Sequence, residues 1–397
     1  WKERDGWLTE LTECKWKGVH CTQQTEHAGK DQDRTFEMKR VAFIDLGENG
    51  LTGGPLPAEI GLFKGLEHLH LFGNQIKGPL PEELTQLTNL RSLYLDNNEL
   101  TGRIPASMSK VTALDHLHLS NNKLSGPIPN SLGELDALLD VRLSNNDLTG
   151  EFPLELVNLR NLSTLLLEGN SIEGSLPHDI SSMKKLTVLR LHDNDMFGSI
   201  PSLASMAQLE QLHLDQNAFS GSIPANFGPP AIRELLLAKN SLTGTIPDDM
   251  MYLGKLEDLR LGTNKISGSI PEGIWGLTQL RRLHLDQNKL KGTIPDGIAE
   301  LSLLEMLYLN QNLLTGAIPG GLSKLSLLER LYLNDNALEG TVPDDLKFLT
   351  GLSEMRLEIN ALTGAMPQEI CIMDLEFLSA DCADPPEVLC PCCNQCF

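Results

Sequence analysis

An asparagine recurs at a nearly constant interval through most of this 397-residue chain. The interval is 24 residues, apart from one of 25 and two of 23. Each asparagine follows an apolar-x-Leu-x-x frame, as in Leu69-His70-Leu71-Phe72-Gly73-Asn74, and precedes a Gly and an apolar-Pro pair. Such repetition predicts one stack of similar units, rather than the two or three domains that the length suggests. The fourteen positions are Asn49, Asn74, Asn98, Asn122, Asn146, Asn170, Asn194, Asn217, Asn240, Asn264, Asn288, Asn312, Asn336 and Asn360.

The residue types within one unit indicate how each repeat folds. Leu-x-Leu has the two-residue period of a strand, so both leucines point inward and the residue between them points outward. A lone strand cannot bury its apolar face, whereas stacked units form a parallel sheet over a continuous core. The asparagine amide both donates and accepts, so a ladder of asparagines can satisfy buried backbone groups. The spacing of Leu132, Leu135 and Leu138 predicts a short helical or 3₁₀ segment opposite the sheet.

The cysteines are confined to the two ends of the chain. Their even number and terminal placement favour disulfides and an oxidising compartment. A zinc site in the crowded segment Cys390-Pro-Cys392-Cys393-Asn-Gln-Cys396 is the alternative. The six C-terminal cysteines allow 15 pairings, and the sequence does not choose among them. The eight are Cys14, Cys21, Cys371, Cys382, Cys390, Cys392, Cys393 and Cys396.

Composition and motifs exclude several classes of function. A formal charge of −21 argues against binding to nucleic-acid phosphates or to an anionic membrane through a basic surface. Apolar runs are too short to span a bilayer. Gly-x-Ser-x-Gly and His-Glu-x-x-His motifs are lacking, and an open sheet does not desolvate side chains as catalysis requires. We therefore predict a protein that is not an enzyme and needs no cofactor or metal. The chain opens at Trp1 without Met, which is consistent either with removal of a leader or with a leader that this sequence does not include.

Two motifs resemble a known family. Segments such as Leu124-Ser-Gly126-Pro-Ile128-Pro129 resemble the plant-type extracellular leucine-rich-repeat proteins, which include receptor ectodomains and inhibitors. The segment Cys14-Lys-Trp16-Lys-Gly18-Val19-His-Cys21 resembles the N-terminal cap of that family. The resemblance implies an α/β solenoid, a right-handed superhelix with a parallel β-sheet on its concave face and 3₁₀ or short helical segments on its convex face. It also implies disulfide-rich caps, a second short strand around Leu-Thr-Gly, a Cys14–Cys21 disulfide, and packing of Trp16 on the first repeats.

The ends of the chain depart from that family. Residues 22–40 form a longer polar insertion than the cap usually carries, and the tail resembles the cysteine-dense ends of algal (diatom) leucine-rich-repeat proteins. We therefore predict an N-terminal cap with an insertion at 1–40, fourteen repeats at 41–370 and a cysteine-rich cap at 371–397. Protein-kinase motifs are lacking, so we expect a secreted protein or an isolated ectodomain. Asn161-Leu162-Ser163 is the one N-glycosylation acceptor.

Outward-facing residues of the strands vary from repeat to repeat, and they are the candidate ligand-binding residues. One group is Tyr94 flanked by the pairs His68/His70 and His116/His118. The pairs lie about 10 Å apart, too far for one zinc site, and suggest a pH-sensitive contact patch or merely tolerated polar residues. The second group surrounds Tyr308 and Tyr332, which suggest interface anchors or a cross-strand pair. The candidate binding residues are Tyr308, Tyr332, Arg282, His284, Asp286, Arg330, Tyr94, His70 and His118.

A third pattern lies beside the strands. The segments Ser220-Gly-Ser222, Thr243-Gly-Thr245 and Ser267-Gly-Ser269 are predicted to stack in register, and Thr293 and Thr341 continue one column. Flat hydroxyl arrays of this kind resemble ice-binding surfaces, although Phe197 and a few charged residues interrupt them.

These observations predict an extracellular or cell-surface recognition module. Its concave face would bind a protein, peptide or cell-wall glycan, with no nucleic-acid partner and no membrane span in this chain. One alternative is a structural matrix component that self-assembles through its caps or lateral faces, as a homo- or hetero-oligomer. Ice binding through the lateral Ser/Thr columns is the other.

Overall fold

The computed structural model of this protein describes residues 17–27, 35–373, 375–382 and 388–397. The predicted contacts of Cys14 and Trp16 therefore lie outside the described residues. Cys21 is disulfide-bonded. The chain divides into two compact units, residues 1–195 and residues 196–397. Both units are built from the predicted repeat.

The first unit contains a main sheet, a lateral sheet and 3₁₀ segments. The main-sheet strands are Val19–His27, Thr35–Asp45, His68–His70, Ser92–Tyr94, His116–His118, Asp140–Arg142, Thr164–Leu166 and Val188–Arg190. The lateral strands are Lys77–Gly78, Glu99–Gly102, Lys123–Gly126, Asp147–Glu151 and Ser171–Gly174. The 3₁₀ segments are Ala58–Leu62, Glu82–Gln86, Ala106–Lys110, Asn130–Glu134, Leu154–Asn158 and His178–Ser182.

The second unit repeats this plan and adds one short α-helix, Gln368–Cys371. Its main-sheet strands are Gln211–His213, Glu234–Leu236, Asp258–Arg260, Arg282–His284, Met306–Tyr308, Arg330–Tyr332, Glu354–Arg356, Phe377–Ala380 and Gln395–Cys396. The lateral strands are Asp195–Ser199, which begins in the first unit, Ala218–Ser222, Ser241–Thr243, Ser267–Gly268, Lys289–Gly292, Leu313–Ala317, Ala337–Gly340, Ala361–Leu362, Gly364–Ala365 and Val388–Leu389. The 3₁₀ segments are Asp248–Tyr252, Glu272–Gly276, Asp296–Glu300, Gly320–Lys324 and Asp344–Phe348.

Main-sheet strands of successive repeats pair in parallel, with equivalent residues side by side. In the first unit Leu165 is opposite Leu189, and in the second Leu307 is opposite Leu331. All four leucines are completely buried. The predicted fold class is confirmed in its parallel sheets, 3₁₀ segments and second short strands. The N-terminal strands Val19–His27 and Thr35–Asp45 instead form an antiparallel pair, so much of the polar insertion lies in a hairpin.

The repeating asparagines form the predicted hydrogen-bond ladder. In the first unit Asn146 Nδ2 donates to the carbonyls of Leu119, Leu143 and Ser144, at 3.0, 3.1 and 3.2 Å. Its Oδ1 accepts from Leu124 N at 3.0 Å. One amide thus satisfies four backbone groups of two successive repeats. The same contacts recur in the second unit, for example at Asn312.

The C-terminal cap extends the sheet of the second unit. Strand Phe377–Ala380 pairs with Glu354–Arg356, and Gln395–Cys396 pairs with Phe377–Ala380. The Asp381 carboxylate accepts from the backbone N–H groups of Ile359 and Asn360. The disulfides are Cys371–Cys392, Cys382–Cys396 and Cys390–Cys393. The zinc alternative required thiolates, which these bonded sulfurs do not offer.

None of the helices among the described residues combines the length and the apolar character needed to cross a membrane.

Candidate ligand-binding surface

The outward face of the main sheet consists of the residues that alternate with the buried leucines, and it is the predicted concave face. In the second unit His284, Tyr308 and Tyr332 form an aromatic stack on this face. Ring centroids of His284 and Tyr308 are 4.2 Å apart, and those of Tyr308 and Tyr332 are 4.4 Å apart. The Arg356 guanidinium carbon lies 4.7 Å from the Tyr332 ring centroid. Parallel strands in register are about 4.8 Å apart, so equivalent rings necessarily stack.

Acidic side chains surround this stack. Glu354 accepts a hydrogen bond from the Tyr332 hydroxyl, and its Oε1 lies 3.2 Å from Arg330 Nε. Burial and the hydrogen bond to Glu354 raise the pKa of Tyr332 to about 12. The phenol therefore stays protonated at neutral pH, and its hydroxyl already donates its hydrogen bond to Glu354. Tyr332 thus offers a ligand mainly its ring.

Arg282, a predicted anchor, is partly neutralised by neighbours. Arg282 Nη1 lies 3.4 Å from Asp258 Oδ2, and Arg282 Nη2 lies 4.0 Å from Glu305 Oε2. Asp258 also receives two hydrogen bonds from Arg260, at 2.9 and 2.8 Å. Arg282 consequently belongs to a network of charges rather than standing as a free cation.

A cavity of about 330 Å³ opens beside His284. Asp215, Gly262 and Asp286 also line it. His284 Nε2 and Asp215 Oδ1 are buried without a hydrogen-bond partner in the described part of the chain. Burial, reinforced by Arg260 and Arg282, lowers the pKa of His284 to about 4. Burial also raises the pKa of Asp286. The cavity therefore holds a neutral imidazole and carboxyl groups beside two cations, Lys239 and Arg260, of which Arg260 is paired with Asp258.

The shifted pKa of His284 makes a pH dependence of stability testable. Unfolded His284 would titrate near 6.5 and folded His284 near 4, so the unfolded state binds the proton first. The contribution of His284 to stability is therefore present above pH 6.5 and is lost as the pH falls from 6.5 towards 4. We expect H284Q to lower the slope of unfolding free energy against pH in this window, as measured by urea denaturation. The exposed His178 provides the matched control, H178Q, and equal slopes for H284Q and the wild type would contradict the assignment.

The first unit carries a second aromatic stack, formed by His70, Tyr94 and His118. The Tyr94 ring lies between the two imidazoles, with centroid distances of 4.2 and 4.3 Å and interplanar angles of 10°. The buried Ser92 Oγ is 2.8 Å from His68 Nδ1 and 2.7 Å from His70 Nε2. Burial lowers the pKa of His70. The predicted histidine pairs are thus separated by the tyrosine ring.

Charged groups also flank the first-unit stack. His118 Nε2 lies 3.3 Å from Asp140 Oδ2, and Arg142 donates to both carboxylate oxygens of Asp140. Burial opposes ionisation of Asp140, but His118 and Arg142 outweigh it and lower the pKa to about 2. For Asp96 burial outweighs the effect of His118 and raises the pKa. A polar cavity of about 350 Å³ lies beside these residues.

The structure brings the predicted residues of each unit together. Three of them stack in the first unit, and the other six lie on adjoining strands or at strand ends in the second: Arg282, His284, Asp286, Tyr308, Arg330 and Tyr332. The sequence reasoning missed the acidic partners. The Asp-x-Arg pairs at Asp140/Arg142 and Asp258/Arg260 could have been found, because residues two apart on a strand share a face.

The lateral strands differ from the prediction. Ser222 is paired with Thr243, not with Thr245, and Gly268 is paired with Leu290. Equivalent hydroxyls are therefore staggered by two residues between neighbouring repeats, and the prediction of stacking in register was wrong. The reason is that each lateral strand sits beside the glycine of the next repeat, as Ser222 does at Gly244. The side chain of Phe197 is also 51% exposed in this region.

The predicted glycosylation acceptor lies outside the strands. Asn161 Nδ2 donates to the carbonyl of Asp136 at 3.0 Å, and Asn161 Oδ1 accepts from Lys185 Nζ at 2.8 Å. Glycosylation would require release of the first contact, and it stays a prediction.

Comparisons with known proteins agree with this architecture. Profiles described as leucine-rich repeat match residues 88–148, 230–290, 161–183, 208–229 and 327–349, and a two-copy profile matches 64–105. The solved leucine-rich-repeat protein LIC12759 of Leptospira interrogans is 32% identical, with a TM-score of 0.64, over 81% of this chain and 78% of that one. This chain belongs to the leucine-rich-repeat family. A search of curated protein sequences found no significant match.

Other leucine-rich-repeat structures are similar over most of this chain. The Arabidopsis receptor kinase HAESA, solved with the peptide hormone IDA and the co-receptor SERK1, is 34% identical with a TM-score of 0.75. That match covers 82% of this chain but 59% of HAESA, so the chain spans little more than half of the receptor structure. A plant ice-binding protein is 26% identical, with a TM-score of 0.55, over 74% of this chain and 83% of that one.

Proposed function

We propose that this leucine-rich-repeat chain is an extracellular recognition module that is not an enzyme. It binds a peptide, or an extended segment of a protein, through the outward face of its main sheet. The single observation that carries the proposal is the His284–Tyr308–Tyr332 stack. It presents large, rigid side chains within a network of charges, and Tyr and Arg are over-represented among the residues that dominate binding energies.

Further observations support the binding class and the location. HAESA, which is similar over most of this chain, was solved with a peptide hormone and a co-receptor. Within each unit the outward face runs across a row of successive strands, which suits an extended ligand better than a compact small molecule. The three disulfides of the C-terminal cap fit an oxidising compartment outside the cytosol.

The tyrosines of the stack provide the decisive test. A peptide isolated on the immobilised wild-type protein, from a library displayed on phage, is titrated against Y308A and Y332A. We expect each variant to bind at least about 10-fold more weakly, because truncating an interface aromatic typically costs more than 1 kcal/mol. R282A should weaken binding less, since Asp258 and Glu305 already share its charge.

A third tyrosine gives the matched control. Tyr252 lies on a 3₁₀ segment away from the outward face and is 72% exposed. Y252A should bind as the wild type does. Equal affinity of Y308A, Y332A and Y252A, with unchanged circular dichroism, would refute the proposed surface.

The alternatives from the sequence stay predictions. Similarity to a plant ice-binding protein favours ice binding, but the staggered hydroxyls of the lateral strands do not form the flat columns on which that idea was based. Thermal hysteresis measurements test it. Light scattering over a concentration series tests self-assembly, and a strict monomer would refute that alternative.

A further inference from the structure

Each unit carries a pit with acidic residues on the outward face, at the residues that follow the strands. The first pit is the row Asp96, Ser120, Ser144 and Glu168, and it opens into the cavity of about 350 Å³. The second pit is the row Asp215, Ala238, Gly262 and Asp286, and it opens into the cavity of about 330 Å³. Both rows have two small residues between two acidic residues. The small residues form the floor, and the acidic residues form the two walls.

Both pits have a histidine, an arginine and a leucine on the strands that precede their rows. The strand residues two positions before the rows are Tyr94, His118, Arg142 and Leu166 in the first pit, and His213, Leu236, Arg260 and His284 in the second. The two pits therefore combine acidic, small and basic residues, in different orders along the chain.

Polar atoms without partners point to a missing ligand. Ser144 is only 4% exposed, and its Oγ has no hydrogen-bond partner in the described residues. Glu168 Oε2 in the first pit and Asp215 Oδ1 in the second are likewise buried and unpartnered there. Buried polar groups are normally hydrogen-bonded, and each unpaired one lowers stability. A ligand that donates hydrogen bonds would satisfy them.

The charges of the pits identify the sign of that ligand. The arginine beside each pit is neutralised on its own strand, since Arg142 is paired with Asp140 and Arg260 with Asp258. Both guanidinium groups are therefore engaged, and neither donates to Glu168 Oε2 or Asp215 Oδ1, which have no hydrogen-bond partner in the described residues. A ligand that supplies positive charge and several N–H donors matches both needs.

A single metal ion does not match the walls. The acidic residues of one pit are three strands apart, so their Cα atoms are separated by roughly 14 Å. Among the described residues, three metal-type ligand atoms converge within 4.8 Å only at the disulfide-bonded Cys382, Cys390 and Cys393. An organic cation on a flexible stem can instead reach an acidic wall while its stem lies over the small residues.

We infer that each pit binds the guanidinium of an arginine side chain in the ligand. This inference rests on the proposed function, because it names the residue type that a peptide would place in each unit. Guanidinium is favoured over ammonium because its planar fork of donors can serve a carboxylate and a neighbouring hydroxyl or imidazole together. In the second pit a Cβ at Gly262 would lie 2.5 Å from Asp286 Oδ1, so an alanine there would displace this carboxylate.

A pair of short peptides tests the inference by isothermal titration calorimetry. The probe is acetyl-Gly-Gly-Arg-Gly-Gly-amide, and its control contains citrulline, which has the same shape without the charge. We expect the wild type to bind two arginine peptides with a Kd on the order of 1 mM. The citrulline peptide should bind at least about 10-fold more weakly, and added salt should weaken only the arginine peptide.

Variants assign the two binding events to the two pits. E168Q and D215N remove one charge each from atoms without hydrogen-bond partners, so neither should affect folding. Each should reduce the stoichiometry from two to one, and G262A should do the same as D215N. The double variant E168Q/D215N should bind at least about 10-fold more weakly at both sites. D345N, an exposed aspartate on a 3₁₀ segment, is the matched control and should retain two sites.

Three results would overturn the inference. They are equal binding of the arginine and citrulline peptides, binding of neither peptide to the wild type, and two retained sites in E168Q/D215N. The proposed function fails separately, because its test is the loss of peptide binding in Y332A, and Tyr332 lines neither pit. Y332A should therefore still bind two short arginine peptides.

Discussion

Replacing Asn146 by alanine is expected to lower the free energy of unfolding by about 3 kcal/mol. Asn146 is 8% exposed, and its amide makes four hydrogen bonds to the backbones of two repeats. Alanine leaves Leu124 N–H and the carbonyls of Leu119 and Leu143 without this partner in a site that water enters poorly. Urea denaturation monitored by circular dichroism gives the change from the shift in midpoint.

An exposed asparagine separates this effect from a general loss of an amide. Asn158 lies at the end of the 3₁₀ segment Leu154–Asn158 and is exposed. N158A should change the stability by no more than about 0.5 kcal/mol. If N146A were as stable as N158A, the ladder would not be the element that couples neighbouring repeats.

Removing the Cys382–Cys396 disulfide is expected to loosen the C-terminal cap before the middle of the second unit. The two cysteines are 14 residues apart, and closing a loop of this size stabilises the folded state by about 3 kcal/mol. The bond holds the two-residue strand Gln395–Cys396 against Phe377–Ala380. In C382S/C396S, amides of Phe377–Ala380 should exchange roughly 100-fold faster than in the wild type, as measured by native-state hydrogen exchange.

The effect should remain local, because each repeat contacts only its neighbours. Amides of Arg282–His284, in the middle of the second unit, are the internal reference and should exchange as in the wild type. C390S/C393S removes a bond between residues 3 apart, and a smaller increase near Phe377–Ala380 is expected there. Faster exchange at Arg282–His284 than at the cap would contradict this account.

The two stacks show how far a candidate site can be predicted. The repeat places equivalent residues side by side on adjacent strands. Its period alone therefore predicted that Tyr308 lies next to Tyr332 and that Tyr94 lies next to His118. The period did not predict the carboxylates that form hydrogen bonds or ion pairs with the polar groups of these residues. Glu354 already binds the Tyr332 hydroxyl, and Arg282 is shared between two acids. Such contacts depend on rotamers, which the repeat period does not specify.

The lateral strands show the opposite case. The repeat period, which is 23 residues at this point, suggested that Ser222 and Thr245 lie side by side, yet Ser222 is paired with Thr243. The main and lateral strands repeat with the same period. Equivalent residues pair with each other in the main sheet, whereas lateral strands pair with an offset of two residues. Register depends on how the backbone packs at each glycine, as at Gly244 beside Ser222.

The sequence by itself determined the repeat, the inward leucines, the asparagine ladder and the faces on which tyrosine and histidine lie. All of these depend only on the position of a residue in the chain. The repeat period of about 24 residues and the two-residue alternation of side chains along a strand specify them. Only the tertiary structure decided the pairing of the six C-terminal cysteines, the stagger of the lateral hydroxyls and the two acidic pits. These depend on distances between residues that are far apart in the chain, and on side chains that settle only when neighbouring repeats are in contact.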